Sequence, residues 1–448
     1  MTAQHRREVA AAASGGELEH LEYGVDAGAR AGEVLAALGA RGTVAVLADT
    51  VPKPTGDGDL LEIAVAAVRR AGYDVARATP CTGPHGVVLD ESTVDEAAAA
   101  LAGAGAVVSV GSGTVTDLAK AATPTGVPLV AVQSAPSVNG YADPLSVLVR
   151  GGAKSTVPTR WPNALLVDAG ALEHSPDLLV GAGVGDAVAV ASSVADWVLA
   201  ARLGAGGPAD PAVLADLLGA VADLRTGRSA DGSMTALVDA LTYGGLSIGV
   251  VGSTAPLSGC EHLTSHILDM AAMAADAPHD LHGRQVGVAT VLSTALWQEA
   301  LERDLVRIDD ATAFPDDVEH RVERTWRVVD PTGRLGATCR ASVGEKVAAW
   351  EQGRATRRPL DDAFLDRLRA LLRPPEEVAA TLRAWGAPTR FGELEPAVAP
   401  ERARWVLSAL PFMRNRVTLA DLLVMNDAWD DDLLDAVLDR AARAGGGA

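Results

Sequence analysis

Three histidines and one aspartate of this chain have the side-chain types that bind a catalytic metal. The chain has nine histidines among 448 residues, and four of them, including His262, His266 and His282, fall between 262 and 282. His262 and His266 are four residues apart, so on a helix they share one face. With Asp186 they offer imidazole and carboxylate ligands from separate segments, and three protein ligands leave a coordination position for a substrate oxygen. On spacing alone, ordinary helix-face histidines and a His-Gly turn explain the pattern equally well.

Composition limits the class of protein. The chain is 48% hydrophobic and 21% charged, as in an ordinary globular enzyme, and its length predicts two or more domains. The net charge of −20 argues against nucleic acid and anionic membranes as partners, because both require a basic surface, and leaves a small-molecule substrate. We predict a cytoplasmic protein, since the N-terminus lacks a signal-peptide core and no apolar run reaches membrane-spanning length. Cys81, Cys260 and Cys339 are scattered and are interpreted as reduced thiols.

Strand and helix patterns alternate over the first 170 residues. Buried strands are predicted at 43–49, 106–111, 128–133 and 164–168, with helices at 56–71 and 113–122. After about residue 172, apolar residues recur with a helical period, and helices are predicted at 181–204, 211–224, 233–250, 258–276, 284–303 and 361–385. We therefore predict an α/β N-terminal nucleotide-binding domain with a parallel sheet, followed by a mostly α-helical C-terminal domain.

The domain boundaries follow from the same change in pattern. We predict a flexible N-terminus at 1–20, the nucleotide-binding domain at 21–172, a helical metal and substrate domain at 173–440 and a frayed tail at 441–448. Residues 204–211 and the charged segment 302–360 are expected to be loops or insertions, and the sequence indicates no role for 302–360.

A glycine loop directly follows one predicted strand. The run A-V-V-S-V leads into G-S-G-T-V-T-D-L-A-K, and Gly111 and Gly113 permit a sharp turn and close approach to a pyrophosphate at a helix N-terminus. Because the G-x-G-x-x-G pattern is incomplete, a tight turn without a ligand stays open. Asp49 ends another strand and fits an adenosine ribose, which favours NAD over NADP, although it could equally cap a helix.

Taken in order, the motifs resemble the iron-containing alcohol dehydrogenase superfamily, most closely its glycerol-1-phosphate dehydrogenase branch, with a dehydroquinate synthase-like fold. The motifs are G-S-G-T-V-T-D-L-A-K, S-A-P-S-V-N-G-Y-A-D, G-V-G-D-A-V-A-V-A-S-S-V-A-D-W, S-G-C-E-H-L-T-S-H and L-H-G-R-Q-V-G-V. The resemblance covers about 40–300 and resumes at 413–423. It implies a metal-dependent, NAD(P)-linked dehydrogenase or reductase that interconverts a small polyol alcohol, with or without a phosphate, and its ketone.

The resemblance also assigns roles to individual residues. It implies Asp186, His262 and His282 as metal ligands, and Asp186, His266 and Asn139 as catalytic residues. Together with Asp49, the cofactor-binding residues would be Gly111, Ser112, Gly113, Thr114, Val115, Ser134, Ser137 and Asp143. Zinc suits a tetrahedral N/O site best, but iron or nickel fits the same ligands. Because members of the family are usually oligomers, the resemblance implies a homo-oligomer.

Three positions depart from the family pattern. Asn139 replaces a substrate-contacting aspartate, Asp143 replaces a small serine, and Val190 replaces a lysine. Because the first two lie where substrate identity is decided, we expect the same hydride chemistry on a different polyol or hydroxy-ketone. The candidate cations for a substrate phosphate are Lys154, Arg160, Arg414 and Arg416.

Two other functions stay open. A dehydroquinate synthase-like cyclase uses related domains with NAD and zinc, but normally has a glutamate where this chain has Asp186, and it needs several lysines. The other function is that of a non-catalytic accessory paralogue in specialised metabolism. It stays open because Asn139 and Asp143 depart from the family pattern where the substrate and cofactor bind. All four metal-site positions are nevertheless present.

Overall fold

The computed structural model describes residues 3–80, 87–150, 153–228 and 234–447; Cys81 and the side chain of Lys154 lie outside the described part. The chain divides into two compact units. The first is Met1–Gly183 with Arg228–Gly252, and the second is Val184–Gly227 with Ser253–Ala448. This division differs from the predicted boundary at 172–173, because one later helix returns to the first unit.

The first unit is built on a six-stranded parallel sheet. The strands of the chain are β1 (His20–Gly24), β2 (Val44–Leu47), β3 (Pro54–Thr55), β4 (Gly58–Asp59), β5 (Val75–Ala78), β6 (Ala106–Gly111), β7 (Leu129–Gln133), β8 (Leu145–Arg150), β9 (Ala153–Pro158) and β10 (Ala164–Asp168). The sheet order is β1-β10-β7-β6-β2-β5, and β3 with β4 and β8 with β9 form antiparallel pairs. The four predicted strands are the central ones. The edge strands β1 and β5 lack the continuous apolar run by which buried strands are identified.

Helices make up most of the remaining structure. They are α1 (Ala3–Ser14), α2 (Ala31–Ala37), α3 (Leu60–Arg70), α4 (Glu91–Leu101), α5 (Gly113–Ala122), α6 (Ala169–Glu173), α7 (Asp177–Val188), α8 (Val190–Arg202), α9 (Pro211–Ala222), α10 (Thr235–Val251), α11 (Cys260–Ala274), α12 (His282–Glu302), α13 (Val318–Arg327), α14 (Arg334–Gln352), α15 (Asp362–Leu371), α16 (Pro375–Ala384), α17 (Pro400–Ala409), α18 (Leu419–Met425) and α19 (Asp431–Arg443). Helix α10 belongs to the first unit, and α11 to α19 belong to the second.

Both faces of the sheet are covered by helices. Val44 and Val46 of β2 pack in one apolar cluster with residues of α2 and α3, whereas Ala45 and Leu47 pack in another with residues of α4 and α5. Alternate residues of a strand point to opposite faces, so a strand buried on both sides must be apolar throughout. The predicted doubly covered parallel sheet is confirmed.

Within the described residues, both chain ends form hydrogen-bonded contacts where the sequence predicts a flexible N-terminus and a frayed tail. The N-terminal residues form α1, and the Arg6 Nε donates to Asp239 Oδ1 of α10 at 2.7 Å. These two side chains belong to residues that are only 7% and 8% exposed. At the other end, the Gly447 N–H donates to the Thr389 carbonyl at 2.8 Å.

The second unit is helical, as predicted. The predicted stretch 181–204 is divided between α7 and α8, and 361–385 is divided between α15 and α16, where Pro374 and Pro375 interrupt the backbone hydrogen bonds. The charged segment 302–360 contains α13 and α14 rather than an extended loop.

Among the described residues, one apolar stretch has the length of a membrane span. Asp177–Arg202 has 26 residues, and its most apolar 18-residue segment has a mean hydropathy of 1.7. However, 89% of that segment is buried inside the protein. A core helix of a globular protein can be equally long and apolar, so length and composition alone are weak evidence for a membrane span.

Candidate metal and cofactor sites

Glycines let α7 and α12 approach each other closely. A Cβ atom on Gly185 would lie 1.9 Å from the carbonyl oxygen of Gly283, and one on Gly287 would lie 2.9 Å from the Cα of Gly185. Both distances are too short for carbon, so only glycine permits this contact. The contact places Asp186, the neighbour of Gly185, close to His282, the first residue of α12.

Asp186, His262 and His282 form a compact cluster. One ligand atom from each lies within 4.8 Å of the others. The His262 Nε2 is 3.3 Å from Asp186 Oδ1, and the ring centroids of His262 and His282 are 5.2 Å apart. One carboxylate oxygen and two imidazole nitrogens are a donor set that fits a divalent transition metal and leaves coordination positions for a substrate.

The charge around His262 also suits a cation. Burial disfavours the imidazolium, but the carboxylates of Asp186 and Glu261 prevail and raise the pKa of His262 to about 9. Asp186 is 2% exposed and Glu261 is 0% exposed. This excess of buried negative charge attracts a divalent cation by the same electrostatics that favour the proton.

His266 lies one helical turn after His262 on α11 and borders the cluster through His282. Its ring centroid is 5.2 Å from that of His282. One atom each from His266, Asp269 and His282 lies within 4.8 Å of the others, and His279 Nδ1 is 3.0 Å from Asp269 Oδ1. The sequence predicted a substrate-contacting histidine here, but it did not indicate Asp269 or His279.

Two polar residues beside the histidines were also missed. Glu261 Oε1 is 3.2 Å from His262 Nδ1, and Ser265 Oγ is 2.8 Å from His282 Nδ1. A signal existed, because each immediately precedes a histidine in C-E-H and T-S-H. Adjacent residues on a helix ordinarily do not face each other, so spacing alone gave no reason to select them.

Asp49, Gly111 and Ser134 follow three neighbouring parallel strands at the same edge of the sheet. Gly111 is the last residue of β6, Ser134 comes directly after β7, and Asp49 lies two residues after β2. The Ser134 N–H donates to the Gly111 carbonyl at 3.0 Å. The carboxyl edge of a parallel sheet is where nucleotides bind in doubly wound folds.

Helix α5 begins at this edge without a capping side chain. Ser112 is the N-cap residue, and its side chain makes no capping hydrogen bond. A Cβ atom on Gly113 would lie 2.5 Å from Val138 Cγ2, so glycine is required at this turn. Val115 is 1% exposed, so its contact with a cofactor stays a prediction, whereas Thr114 is exposed. An uncapped helix N-terminus beside small residues fits a pyrophosphate.

Asp49 has a cationic neighbour. Its Oδ1 accepts from Lys53 Nζ at 2.6 Å and from the Val51 N–H at 3.1 Å. Lys53 is 6% exposed, so its charge is held against Asp49. The repulsion between Asp49 and a 2′-phosphate is therefore weaker than for an isolated carboxylate.

Asp143 is held inside the first unit. Its Oδ1 accepts from Lys120 Nζ at 3.0 Å and from the Leu145 N–H at 2.8 Å, and Asp143 is 3% exposed. Burial raises the pKa of Asp143 to about 6, against the opposing charge of Lys120. Asp143 thus has protein partners, and its contact with a cofactor stays a prediction.

Ser137 and Asn139 lie on the segment between β7 and Asp143. The Ser137 Oγ is 3.3 Å from the Tyr141 hydroxyl, and Ser137 is 5% exposed. Asn139 precedes the short 3₁₀ turn Gly140–Ala142. Their contacts with cofactor and substrate likewise stay predictions.

Two of the arginines considered for a substrate phosphate bind protein groups. Arg160 Nη1 donates to the Val127 carbonyl at 2.9 Å, and Arg416 Nη2 donates to Thr254 Oγ1 at 2.7 Å. Burial lowers the pKa of Arg416 to about 10. Both arginines therefore already bind protein groups, which makes them poorer candidates for binding a substrate phosphate.

The comparisons with known proteins agree with the motifs. Residues 22–176 match the family model described as iron-containing alcohol dehydrogenase. A glycerol-1-phosphate dehydrogenase [NAD(P)+] of Bacillus subtilis is 32% identical over 243 residues, which are 53% of this chain and 60% of that protein. The protein of that name from Methanococcoides burtonii is 35% identical over 191 residues, which are 41% of this chain and 52% of that protein. The chain thus spans about half to three fifths of these relatives.

Solved structures support the fold. A probable glycerol dehydrogenase from Sinorhizobium meliloti 1021 has a TM-score of 0.55 and 16% identity, covering 95% of this chain and 96% of that one. The glycerol dehydrogenase from Schizosaccharomyces pombe has a TM-score of 0.56 and 14% identity, covering 95% and 90%. The predicted fold class and the resemblance to iron-containing alcohol dehydrogenases of the glycerol-1-phosphate branch are confirmed.

Proposed function

We propose that the protein is a metal-dependent, NAD(P)-linked dehydrogenase or reductase that interconverts a small polyol alcohol and its ketone, as glycerol-1-phosphate dehydrogenases do. The observation that carries the proposal is the Asp186, His262 and His282 cluster, with ligand atoms within 4.8 Å on three separate helices. The names of the relatives and the glycine turn at β6–α5 support the same class.

Each group of residues has one task in this reaction. Asp186, His262 and His282 hold a divalent ion, which when bound lowers the pKa of a hydroxyl or polarises a carbonyl, while the nicotinamide takes or gives the hydride. His266, one turn from His262, contacts the substrate and moves its proton. Burial of Asp186 and His262 limits the access of competing water to these two ligands.

The cofactor is held mainly by backbone. Gly111, Ser112, Gly113 and Thr114 present N–H groups at the start of α5 to the pyrophosphate, and Ser134 and Ser137 bind nearby. Asp49 binds the adenosine ribose, with NAD favoured. Because Lys53 balances part of its charge, NADP is expected to be accepted at higher concentration.

Several finer features are part of the proposal. Zinc is the metal that best suits one carboxylate and two imidazoles, with iron or nickel as alternatives. Asn139 hydrogen-bonds a substrate hydroxyl in place of a charged aspartate. We further propose a homo-oligomer that acts in the cytoplasm on a small-molecule alcohol or ketone, without nucleic acid or membrane partners.

Metal analysis combined with a cofactor assay tests the proposal. Purified protein is analysed for zinc, iron and nickel, and absorbance of reduced nicotinamide is followed with NAD or NADP and a panel of polyols, glycerol phosphates and hydroxy-ketones. We expect about one metal per chain and stoichiometric NADH with one alcohol. Bound metal with cofactor recycling but no net NADH would favour the cyclase, and neither metal nor turnover would favour the accessory paralogue.

A further inference from the structure

Both histidines of the metal cluster are held by side chains from one helix. Glu261 Oε1 is 3.2 Å from His262 Nδ1, and Ser265 Oγ is 2.8 Å from His282 Nδ1. Glu261 and Ser265 are four residues apart, so they lie one turn from each other on α11. Both are 0% exposed, so water does not compete for these contacts.

The number of protons that each group carries decides which atom donates in these hydrogen bonds. An ionised carboxylate only accepts, so the His262 Nδ1 donates to Glu261. Ser265 has a single hydroxyl proton, which it donates to Gln285 Oε1 at 2.7 Å, and His282 Nδ1 must then donate to Ser265. In the neutral form of both rings, Nε2 is left as the nitrogen with a free lone pair.

Glu261 is itself fixed from two further directions. The Gly259 N–H donates to its Oε1 at 2.5 Å, and the Ser192 hydroxyl of α8 donates to its Oε2 at 2.8 Å. The carboxylate lies in the first turn of α11, where the helix dipole stabilises negative charge. Its position is therefore set before any ligand binds.

We propose that Glu261 and Ser265 are positioning residues, which fix the ring orientation and the tautomer of His262 and His282 and thereby set the metal affinity. This inference rests on the proposed metal-dependent function. A carboxylate or hydroxyl behind a metal-binding imidazole raises its basicity and prevents ring rotation, and removing it weakens metal binding by about 10- to 100-fold.

Glu261→Gln and Ser265→Ala test the proposal. The oxygen of the glutamine amide is uncharged and is therefore a weaker acceptor for the His262 Nδ1–H than the carboxylate, and its N–H₂ group takes the place of Oε2, which accepts from the Ser192 hydroxyl. Zinc affinity is measured by chelator competition, and we expect it to fall by about 10- to 100-fold in Glu261→Gln and by about tenfold in Ser265→Ala. Ser265→Thr keeps the hydroxyl and should restore most of the affinity.

Asp196→Asn is the matched control. Asp196 Oδ2 accepts from the Cys260 N–H at 3.0 Å, so the variant disturbs the start of the same helix without touching a histidine. A zinc affinity for Glu261→Gln within about twofold of the parent, or an equal loss in Asp196→Asn, would overturn the positioning role.

A metal-independent readout separates this inference from the proposed function. The nine histidines are labelled with ¹⁵N, and the hydrogen-bonded Nδ1–H signal of His262 is assigned by its disappearance in His262→Asn. We expect the signal to shift in Glu261→Gln and to persist in Asp196→Asn. If the parent fails to bind metal, the proposed function fails, and this signal still decides the inference: its absence from the parent overturns it.

Discussion

The glycine turn of the first unit and the candidate metal cluster of the second offer different kinds of groups to a ligand. At β6–α5, the groups offered to a ligand are backbone N–H groups, and the nearby charges are already balanced, as in the Lys120–Asp143 pair. In the cluster, side chains from α7, α11 and α12 converge, and the carboxylates of Asp186 and Glu261 leave negative charge in excess. One site depends on the absence of side chains, whereas the other depends on particular ones.

Loss of one cluster side chain should therefore have the largest effect. His282→Ala removes one of three ligands, and two ligands rarely retain a catalytic metal, so we expect metal content and turnover to be abolished while the fold persists. Metal analysis and circular dichroism check both parts. His320→Ala, which changes an exposed histidine on α13, is the control. Full metal content in His282→Ala would show that the ligand set is wrong.

In the first unit, the balanced charges should matter for stability rather than for chemistry. Lys120 has a fully buried side chain, with Asp117 Oδ1 and Asp143 Oδ1 each 3.0 Å from its Nζ. Burial opposes the charged form, but the two carboxylates prevail and raise the pKa of Lys120 above its usual value. Lys120→Met leaves the buried carboxylate of Asp143 and the partly exposed one of Asp117 without their cation and should lower the free energy of unfolding by about 3 kcal/mol.

Denaturant unfolding measures this loss. Arg70→Met is the control, since Arg70 is exposed at the end of α3, and its effect should stay within about 0.5 kcal/mol. Equal stability of the two variants would mean that Lys120, Asp117 and Asp143 do not form a structural charge network.

The same contrast explains what the sequence revealed. The central strands and the turn at Gly111 were predicted because they depend on local patterns: continuous apolar runs, then glycine, then a helix. The histidines were found by residue type and by family motifs. In each case the signal lies within a few consecutive residues.

The supporting contacts could not be predicted in this way. Asp143 pairs with Lys120, which lies 23 positions earlier, and Ser192 reaches Glu261 across 69 positions. Such pairs depend on which helix faces fold together, and hydrophobic periodicity does not specify individual polar partners. The helices within 302–360 were missed for a different reason: the segment was interpreted from its overall charge, although Val318, Val322 and Trp326 recur at helical spacing along the buried face of α13.

Asp196 should make stability depend on pH. Burial and the charge of Glu261 raise the pKa of Asp196 from the ordinary aspartate value of 3.8 to about 7, despite the N–H groups of Leu419 and Cys260. The folded protein thus binds more protons than the unfolded chain between these values. This contribution is present at low pH and is lost as pH rises through about 7.

Asp196→Asn isolates this contribution from the other titrating groups. From pH 4 to pH 8 the parent should lose stability relative to the variant, on the order of 3 kcal/mol. Denaturant unfolding at several pH values, with constant metal, checks it. A difference that does not change with pH would show that Asp196 has an ordinary pKa.

The smallest expected effect concerns the departure at Asn139. An amide hydrogen-bonds a hydroxyl but cannot carry charge, and a hydrogen bond to a charged acceptor is stronger by about 1 kcal/mol. If the substrate is that of the glycerol-1-phosphate dehydrogenases, Asn139→Asp should raise kcat/KM for it on the order of fivefold. The ratio of kcat/KM between glycerol 1-phosphate and the best substrate of the parent removes effects on folding and metal content. A fall in that ratio would mean that the asparagine is adapted to another alcohol, and that the metal chemistry is shared with the relatives while the substrate is not.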